Sequence, residues 1–214
     1  MNKRQIIKNT EKYVKAEMGL EDSGHDWWHV YRVWQLAKRI AQHEDGDKFV
    51  IELAALLHDI SDWKKNSGDS TVGGKIATDF LLKNGANENT ALAVRRILEN
   101  ISFKGVAGSS NMQTIEGKIV QDADRLDAMG AIGIGRCFTY GGYRGFPMHD
   151  PKITHNKKEF GKRMSKTSIN HFYEKLLLLK DLMNTKTGKQ MAQRRHKFLE
   201  QYLNRFLKEW NGES

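Results

Sequence analysis

The sequence predicts an all-α fold, and three observations carry that prediction. Apolar residues recur at helical spacing through almost the whole chain of 214 residues, which is the pattern of amphipathic helices. No stretch alternates between apolar and polar residues in the way that a half-buried strand does. With only 2 prolines, long helices can run unbroken. A helical bundle is therefore the predicted architecture.

The predicted helices follow in chain order from this spacing. The first is marked by the apolar positions Ile6, Ile7, Tyr13, Val14 and Met18. The second is marked by Val30, Val33, Trp34, Ala37, Ile40 and Ala41. Further helices are predicted over Phe49–His58, Val72–Lys83, Asn89–Asn100, Ile115–Gln121, Arg125–Phe138, Lys166–Met183 and Thr187–Trp210.

Several predicted helix ends carry the residues expected there. Gly19, Gly46 and Gly85 each follow an apolar periodic segment, and glycine commonly ends a helix because it adopts the left-handed conformation. Thr187 followed by Gln190 resembles a capping box, which predicts that the last helix begins there.

Length and composition favour one domain over residues 1–214, with a basic helical part from about residue 165. The single cysteine, Cys137, excludes an intrachain disulfide. The first residues lack the apolar stretch of a signal peptide, and the run Leu176–Leu179 is too short to span a bilayer. A cytoplasmic protein without a membrane partner is the expectation.

The formal net charge of +9 favours a polyanionic partner, such as a nucleotide, a nucleic acid or an anionic surface. A solvated helical face is the more common reason for a basic run of this kind. Much of the excess lies in the last third of the chain, with Lys157, Lys158, Lys162, Arg163, Lys166, Lys186, Lys189, Arg194, Arg195 and Lys197.

Three distant segments supply the side chains of a possible metal site. His29 lies in SGHDWWHVYRV, His58 and Asp59 are adjacent in LAALLHDISD, and Asp124 lies in IVQDADRLDAMGAIGIG. Two imidazoles and two carboxylates form a mixed nitrogen and oxygen set that suits manganese or ferrous iron and leaves positions for water or substrate. Taken alone, His58 and Asp59 would also fit a buried histidine bonded to a carboxylate.

The order of these segments resembles the H...HD...D pattern of the HD-domain phosphohydrolase superfamily, in particular a bacterial subfamily of small single-domain hydrolases. The resemblance covers about the first two thirds of the chain. It implies an all-helical fold, metal ligands at His29, His58, Asp59 and Asp124, and phosphate esters or anhydrides as substrates. HD enzymes that bind two metal ions usually take further histidine ligands from the region between the His-Asp pair and the last aspartate. Since Ile60–Ala123 contains no histidine, the resemblance implies one divalent ion. Mn²⁺ is favoured, with Mg²⁺, Fe²⁺, Ni²⁺ and Zn²⁺ left open.

His25 and His29 also stand four residues apart, which is the histidine spacing of the zinc protease motif. Asp26 replaces the catalytic glutamate of that motif and no third ligand follows, so the protease interpretation is rejected. His25 and Asp26 then become candidates for supporting the ligands or for starting a helix.

Charged residues near the ligands complete the predicted site. Asp59 and Asp127 are the candidate catalytic carboxylates. The composition of the segment TYGGYRGFPMHDPKITHNKKEF predicts a loop that either orders around a phosphate or folds over a pocket as a lid. Cations for the phosphate charge are expected at Arg32, Lys64, Arg125, Arg136 and Arg144.

The leading hypothesis is a nucleotide hydrolase, most specifically a pyrophosphohydrolase that converts (d)NTP to monophosphate and pyrophosphate. The nearest alternative is a nucleoside monophosphate phosphatase. A nucleic-acid-binding or nucleolytic protein that uses the basic C-terminal helix is a second alternative. A domain that binds a phosphorylated ligand without catalysis is a third. Either a monomer or a homodimer is compatible with the sequence.

Overall fold

Helices are the regular structure of this chain wherever the structure describes it. The computed structural model describes residues 2–19, 26–60, 71–101, 112–153 and 167–213, and no strand occurs in these ranges. The predicted all-α fold is confirmed. The helices are α1 (Lys3–Met18), α2 (Trp27–Ile40), α3 (Lys48–Leu57), α4 (Thr71–Lys83), α5 (Glu88–Asn100), α6 (Ile115–Asp127), α7 (Gly130–Tyr143), α8 (Ser168–Glu174), a 3₁₀ helix (Leu176–Leu182) and α9 (Lys186–Trp210).

The chain divides into two compact units, Met1–Ala123 and Asp124–Ser214. The division falls inside α6, so the last turn of this helix belongs to the second unit. The single domain expected from chain length stays a prediction. Within the described ranges, no helix is both long enough and apolar enough to cross a membrane.

Helix α3 forms the centre of the first unit. Almost every residue from Phe49 to Leu57 is buried, and the run Leu53–Leu57 is inaccessible to solvent. A helix that is apolar all round must be surrounded, and α1, α2 and α5 pack against α3. Asp47 starts the helix by accepting a hydrogen bond from the Phe49 amide at 2.8 Å. The position at which α3 ends, directly before His58, is therefore fixed by the core.

Glycine ends two helices of the first unit as predicted. Gly19 follows α1 with φ +55°, and Gly85 follows α4 with φ +80°. After α4, the amides of Gly85 and Ala86 donate to the carbonyls of Leu82 and Leu81, each at 3.0 Å, which is the Schellman arrangement. Helix α2 already ends at Ile40, before the predicted stop at Gly46.

The second unit packs an aromatic cluster between its helices. Phe172 of α8 stacks on Tyr202 of α9, with ring centroids 6.0 Å apart. Phe138 of α7 contacts Tyr202 and Phe206 at 6.2 and 5.9 Å. Of the four aromatic residues along α9, Tyr202 and Phe206 are therefore half-buried in this cluster, whereas Phe198 and Trp210 are 46% and 44% exposed.

Two helix boundaries predicted in this part of the chain are wrong. Helix α6 continues through Asp127, whereas the sequence predicted a stop at Gln121 and a new helix at Arg125. The break comes at Gly130, whose φ of +69° starts α7, and α7 runs on to Tyr143, into the predicted loop. The acidic residues of α6 looked like a loop in sequence, but they continue the helix.

The predicted helix Lys166–Met183 is also interrupted. Lys175 has φ −139° and ψ −59°, which ends α8 and starts the 3₁₀ helix. Helix α9 is capped by Thr185, whose hydroxyl accepts from the Gly188 amide at 2.9 Å. The capping box predicted at Thr187 is therefore wrong, because Thr187 lies inside the first turn.

Replacing Gly130 by alanine should destabilise the protein. Its φ is positive, and a Cβ atom there would lie 3.2 Å from Cγ of Arg195. We expect Gly130→Ala to lower the free energy of unfolding by about 1–2 kcal/mol, measured by urea denaturation. Gly135→Ala on the same helix is the control, since its Cβ would meet nothing within 4 Å. An equal effect of both substitutions would contradict the conformational explanation.

Candidate metal centre

Three predicted ligands meet in the first unit. The Nε2 atom of His29 lies 3.2 Å from Nε2 of His58 and 3.3 Å from Oδ2 of Asp59. Nε2 of His58 lies 3.7 Å from the same carboxylate oxygen. Among the described histidine, cysteine and acidic residues, these form the one group of three or more arranged to hold a metal ion. The structure thus brings together three of the four residues that the sequence selected.

Helix α2 carries His29 at its buried start. Asp26 is the N-cap residue, and its side chain accepts a hydrogen bond from the His29 amide at 2.9 Å. Of the two roles considered for Asp26, the structure shows that of a helix start. The His29 side chain is 2% exposed and lies on the face that also buries Val30 and Val33. The cap and the core therefore both fix the direction of this imidazole.

The end of helix α3 fixes the orientation and the tautomer of His58. The Nδ1–H group of His58 donates to the carbonyl oxygen of Ala55 at 2.8 Å. That carbonyl belongs to the last turn, where backbone acceptors have no partner within the helix. A proton on Nδ1 leaves Nε2 with its lone pair in the plane of the ring, directed at His29 and Asp59. The same kind of outer hydrogen bond supports histidine ligands in metalloproteins generally.

The separations of the three donor atoms fit a bound divalent ion. For bonds of about 2.1 Å, two ligands of one ion are about 3.0 Å apart at right angles and about 3.4 Å apart in a tetrahedron. The observed separations of 3.2 to 3.7 Å lie close to this range. One metal ion could bind all three donor atoms at once, whereas a single proton shared in a hydrogen bond would connect only two of them.

One side of this cluster is open to solvent. The side chains of His29 and His58 are 2% and 3% exposed, whereas that of Asp59 is 20% exposed. A ligand or a water molecule can therefore approach at Asp59. This exposure agrees with the dual assignment of Asp59 as a ligand and as a candidate catalytic carboxylate.

Asp124 and Asp127 belong to the second unit, on the last turn of α6. The assignment of Asp124 as a fourth ligand stays a prediction. The Asp127 carboxylate is 1% exposed and accepts a hydrogen bond from Nη1 of Arg136 at 2.7 Å. Its proposed catalytic role also stays a prediction. Asp127 does form a buried ion pair with Arg136, which is one of the candidate substrate-binding residues.

The candidate phosphate-binding cations lie in different surroundings. Arg32 is partly buried on α2, one turn after His29. Arg125 is 8% exposed and donates to the carbonyl of Leu182. Arg144 is exposed and its guanidinium lies 6.0 Å from the ring centroid of Tyr140. Lys64 and His25 lie outside the described residues.

Three histidines of the second unit, His149, His171 and His196, are at least partly buried. His149 and His196 are 9% and 8% exposed. Burial, with a smaller contribution from the charge of Lys175, lowers the pKa of His171 to about 4, so this imidazole is neutral near pH 7. Arg195 also differs from the expected solvated face, because it is partly buried while Arg194 is exposed. Arg195 and His196 lie on the packed side of α9, and His149 is buried in the segment after α7, a distinction that a basic stretch of sequence conceals.

Known proteins match both the fold and the motifs. The HD domain family model matches residues 27–129. The YpgQ protein of Bacillus subtilis is 37% identical over 203 residues, which is 94% of this chain and 91% of YpgQ. The crystal structure of an HD-superfamily hydrolase from Bacillus thuringiensis superposes with a TM-score of 0.79 and 43% identity, covering 98% of this chain and 99% of that one. The structure of YpgQ in complex with ADP superposes with a TM-score of 0.77 and 34% identity, covering 97% and 100% of the two chains.

The donor cluster and these relatives define the class of the protein as a metal-dependent phosphohydrolase. Within that class, the chain belongs to the HD-domain superfamily. The resemblance inferred from the three sequence segments is confirmed, and a divalent metal ion is the cofactor that HD domains bind.

Substituting His29 should impair metal binding without unfolding the protein. We expect His29→Ala to weaken Mn²⁺ binding by at least about 100-fold, since even outer hydrogen bonds to a ligand contribute 10- to 100-fold. Calorimetric titration of chelator-treated protein measures the change. His43→Ala is the control, because His43 is exposed on the same unit. An affinity equal to that of the control would exclude His29 as a ligand.

Proposed function

We propose that this protein is a nucleotide hydrolase, most specifically a pyrophosphohydrolase that splits a (d)NTP into a monophosphate and pyrophosphate. The observation that carries the proposal is the cluster of His29, His58 and Asp59, whose donor atoms are 3.2 to 3.7 Å apart. One divalent ion bound there supplies Lewis acidity and an acidified water for attack on phosphorus. Of the possible ions, Mn²⁺ suits the mixed nitrogen and oxygen ligands best.

A nucleotide substrate is favoured by two independent features. The chain carries a formal charge of +9, which attracts polyphosphates over a distance and raises their rate of encounter. The related YpgQ protein has been crystallised in complex with ADP. Because ADP is a diphosphate, this favours substrates with more than one phosphate group, and so a pyrophosphohydrolase over a monophosphate phosphatase.

The protein's own residues divide the task. Asp59 contributes a carboxylate at the exposed side of the cluster, where the scissile phosphate would enter. Asp124 is proposed as the fourth ligand on the strength of the HD motif. Arg32, Arg125, Arg136 and Arg144, with Lys64, are proposed to neutralise the phosphate charge.

The site of action proposed for the enzyme is the cytoplasm. Cys137 is free and buried, and burial raises the pKa of its thiol to about 12. Such a thiol stays protonated and unreactive, which suits a protein that relies on packing rather than on disulfides.

Product analysis tests the proposed reaction. Chelator-treated protein is supplied separately with Mn²⁺, Mg²⁺, Fe²⁺, Ni²⁺ and Zn²⁺, and incubated with nucleoside mono-, di- and triphosphates. We expect pyrophosphate and monophosphate from triphosphates, with the highest rate in Mn²⁺. The His29→Ala variant is the control for contaminating hydrolases. Orthophosphate from monophosphates alone would instead establish a phosphatase, and unchanged nucleotides with every metal would refute the proposal.

Asp124→Asn tests the fourth ligand. The amide keeps the size of the side chain and removes its charge, so we expect metal affinity and turnover each to fall by about 10-fold or more. Thermal unfolding of the metal-free protein should change little. The control is Asp181→Asn, which removes an exposed carboxylate from the same unit. Metal binding as tight as in the control would show that Asp124 is not a ligand.

A further inference from the structure

Two adjacent arginines of α9 differ in their surroundings. Arg194 is exposed, whereas Arg195 is partly buried and donates from Nη1 to the carbonyl oxygen of Leu126 on α6. The side chain of Arg195 also covers Gly130, since a Cβ atom there would lie 3.2 Å from Cγ of Arg195. The absence of a side chain at residue 130 thus leaves room for this arginine.

The guanidinium of Arg195 acts electrostatically on Asp127. Burial lowers the pKa of Arg195, and the negative charge of Asp127 opposes that effect. An arginine keeps its proton in any such environment, so Arg195 remains a cation next to the end of α6. Its hydrogen bond to the Leu126 carbonyl places this charge at the negative end of the helix dipole, where a cation is stabilised.

The buried carboxylate of Asp127 interacts with two cations, Arg136 and Arg195. Its side chain is 1% exposed, Arg136 bonds to it at 2.7 Å, and Arg195 contributes the second positive charge. Neighbouring cations stabilise a buried carboxylate, and removing a partner leaves an uncompensated charge. We therefore expect the loss of the positive charge of Arg195 to alter the ion pair between Asp127 and Arg136, although Arg195 is not the residue that makes the 2.7 Å bond.

Arg136 extends from this buried pair towards solvent. Its side chain is 25% exposed, while the carboxylate that holds it is almost inaccessible. A guanidinium is a planar fork of five N–H donors, and anchoring it to a carboxylate fixes the plane in which it meets an oxyanion. Fixing a donor before binding reduces the entropy that binding costs.

We propose that Arg195 is a positioning residue for substrate binding, which acts through the carboxylate of Asp127 to hold Arg136 in the orientation that binds a phosphate group. The inference rests on the proposed function, because Arg136 is assigned there to the phosphates. It assigns to Arg195 a task that its place in a basic run does not suggest. It also assigns to Asp127 the task of orienting a cation.

A double-mutant cycle tests this coupling. The variants are Arg195→Gln, Arg136→Ala and the double substitution, with Arg194→Gln as the matched exposed control. KM and kcat are measured for the triphosphate that the wild type hydrolyses fastest, and the Kd of inorganic tripolyphosphate is measured by calorimetry. We expect each single variant to raise KM and Kd by about tenfold with a smaller change in kcat. The double variant should match Arg136→Ala if Arg195 acts on the phosphate only through Arg136.

A merely structural role would give a different pattern. If Arg195→Gln raises KM in the Arg136→Ala background by the same factor as in the wild type, or behaves like Arg194→Gln, the proposal is overturned. If Arg195→Gln does not fold, Arg195→Lys decides, because it keeps the charge beside Asp127. We expect its KM to stay within about threefold of the wild type. A folded Arg195→Lys variant with the full loss of affinity would also overturn the proposal.

The failure of the two proposals can be told apart. A wild type that hydrolyses no nucleotide and binds no tripolyphosphate removes both the proposed function and this inference. If the wild type hydrolyses a nucleotide and binds tripolyphosphate, but Arg195→Gln has the same KM and Kd as Arg194→Gln, only the role proposed for Arg195 is refuted.

Discussion

The candidate metal centre depends on the hydrogen bond from His58 Nδ1–H to the carbonyl oxygen of Ala55, 2.8 Å long. Helix α3 is buried on all sides, so the core fixes where its last turn lies. The last turn offers carbonyl groups that lack helical partners, and the imidazole satisfies one of them. The other ring nitrogen is left as an acceptor 3.2 Å from Nε2 of His29. Without this bond the ring could turn, and three nearby side chains would no longer form one donor set.

The second unit also uses the carboxyl ends of helices to hold charged side chains. Arg195 donates to the carbonyl of Leu126 near the end of α6, and Arg125 donates to that of Leu182 at the end of the 3₁₀ helix. Helix ends combine unpaired acceptors with partial negative charge, so they hold donors and cations. In both units, then, the fold fixes a candidate functional side chain by giving it a backbone acceptor. These bonds involve the main chain and leave little trace in the sequence.

The sequence allowed prediction of those features that depend on periodic apolar residues and on short motifs. The helical class followed from apolar spacing, and the cluster of His29, His58 and Asp59 followed from the HD pattern. The continuation of α6 to Asp127 did not follow, because clustered aspartates usually indicate a loop, whereas Asp122 and Asp127 are buried in this helix. Arg195 was not distinguishable from Arg194, because adjacent residues of a helix point about 100° apart and only packing shows which one is inside.

The location of a bound metal ion tests the central claim most directly. Crystals grown with Mn²⁺ and measured on both sides of its absorption edge would show the ion as an anomalous difference peak. We expect one peak within bonding distance of Nε2 of His29, Nε2 of His58 and a carboxylate oxygen of Asp59, with Nδ1 of His58 still bonded to the Ala55 carbonyl. A peak on other residues, or a metal-dependent enzyme whose ion does not touch both imidazoles, would contradict it.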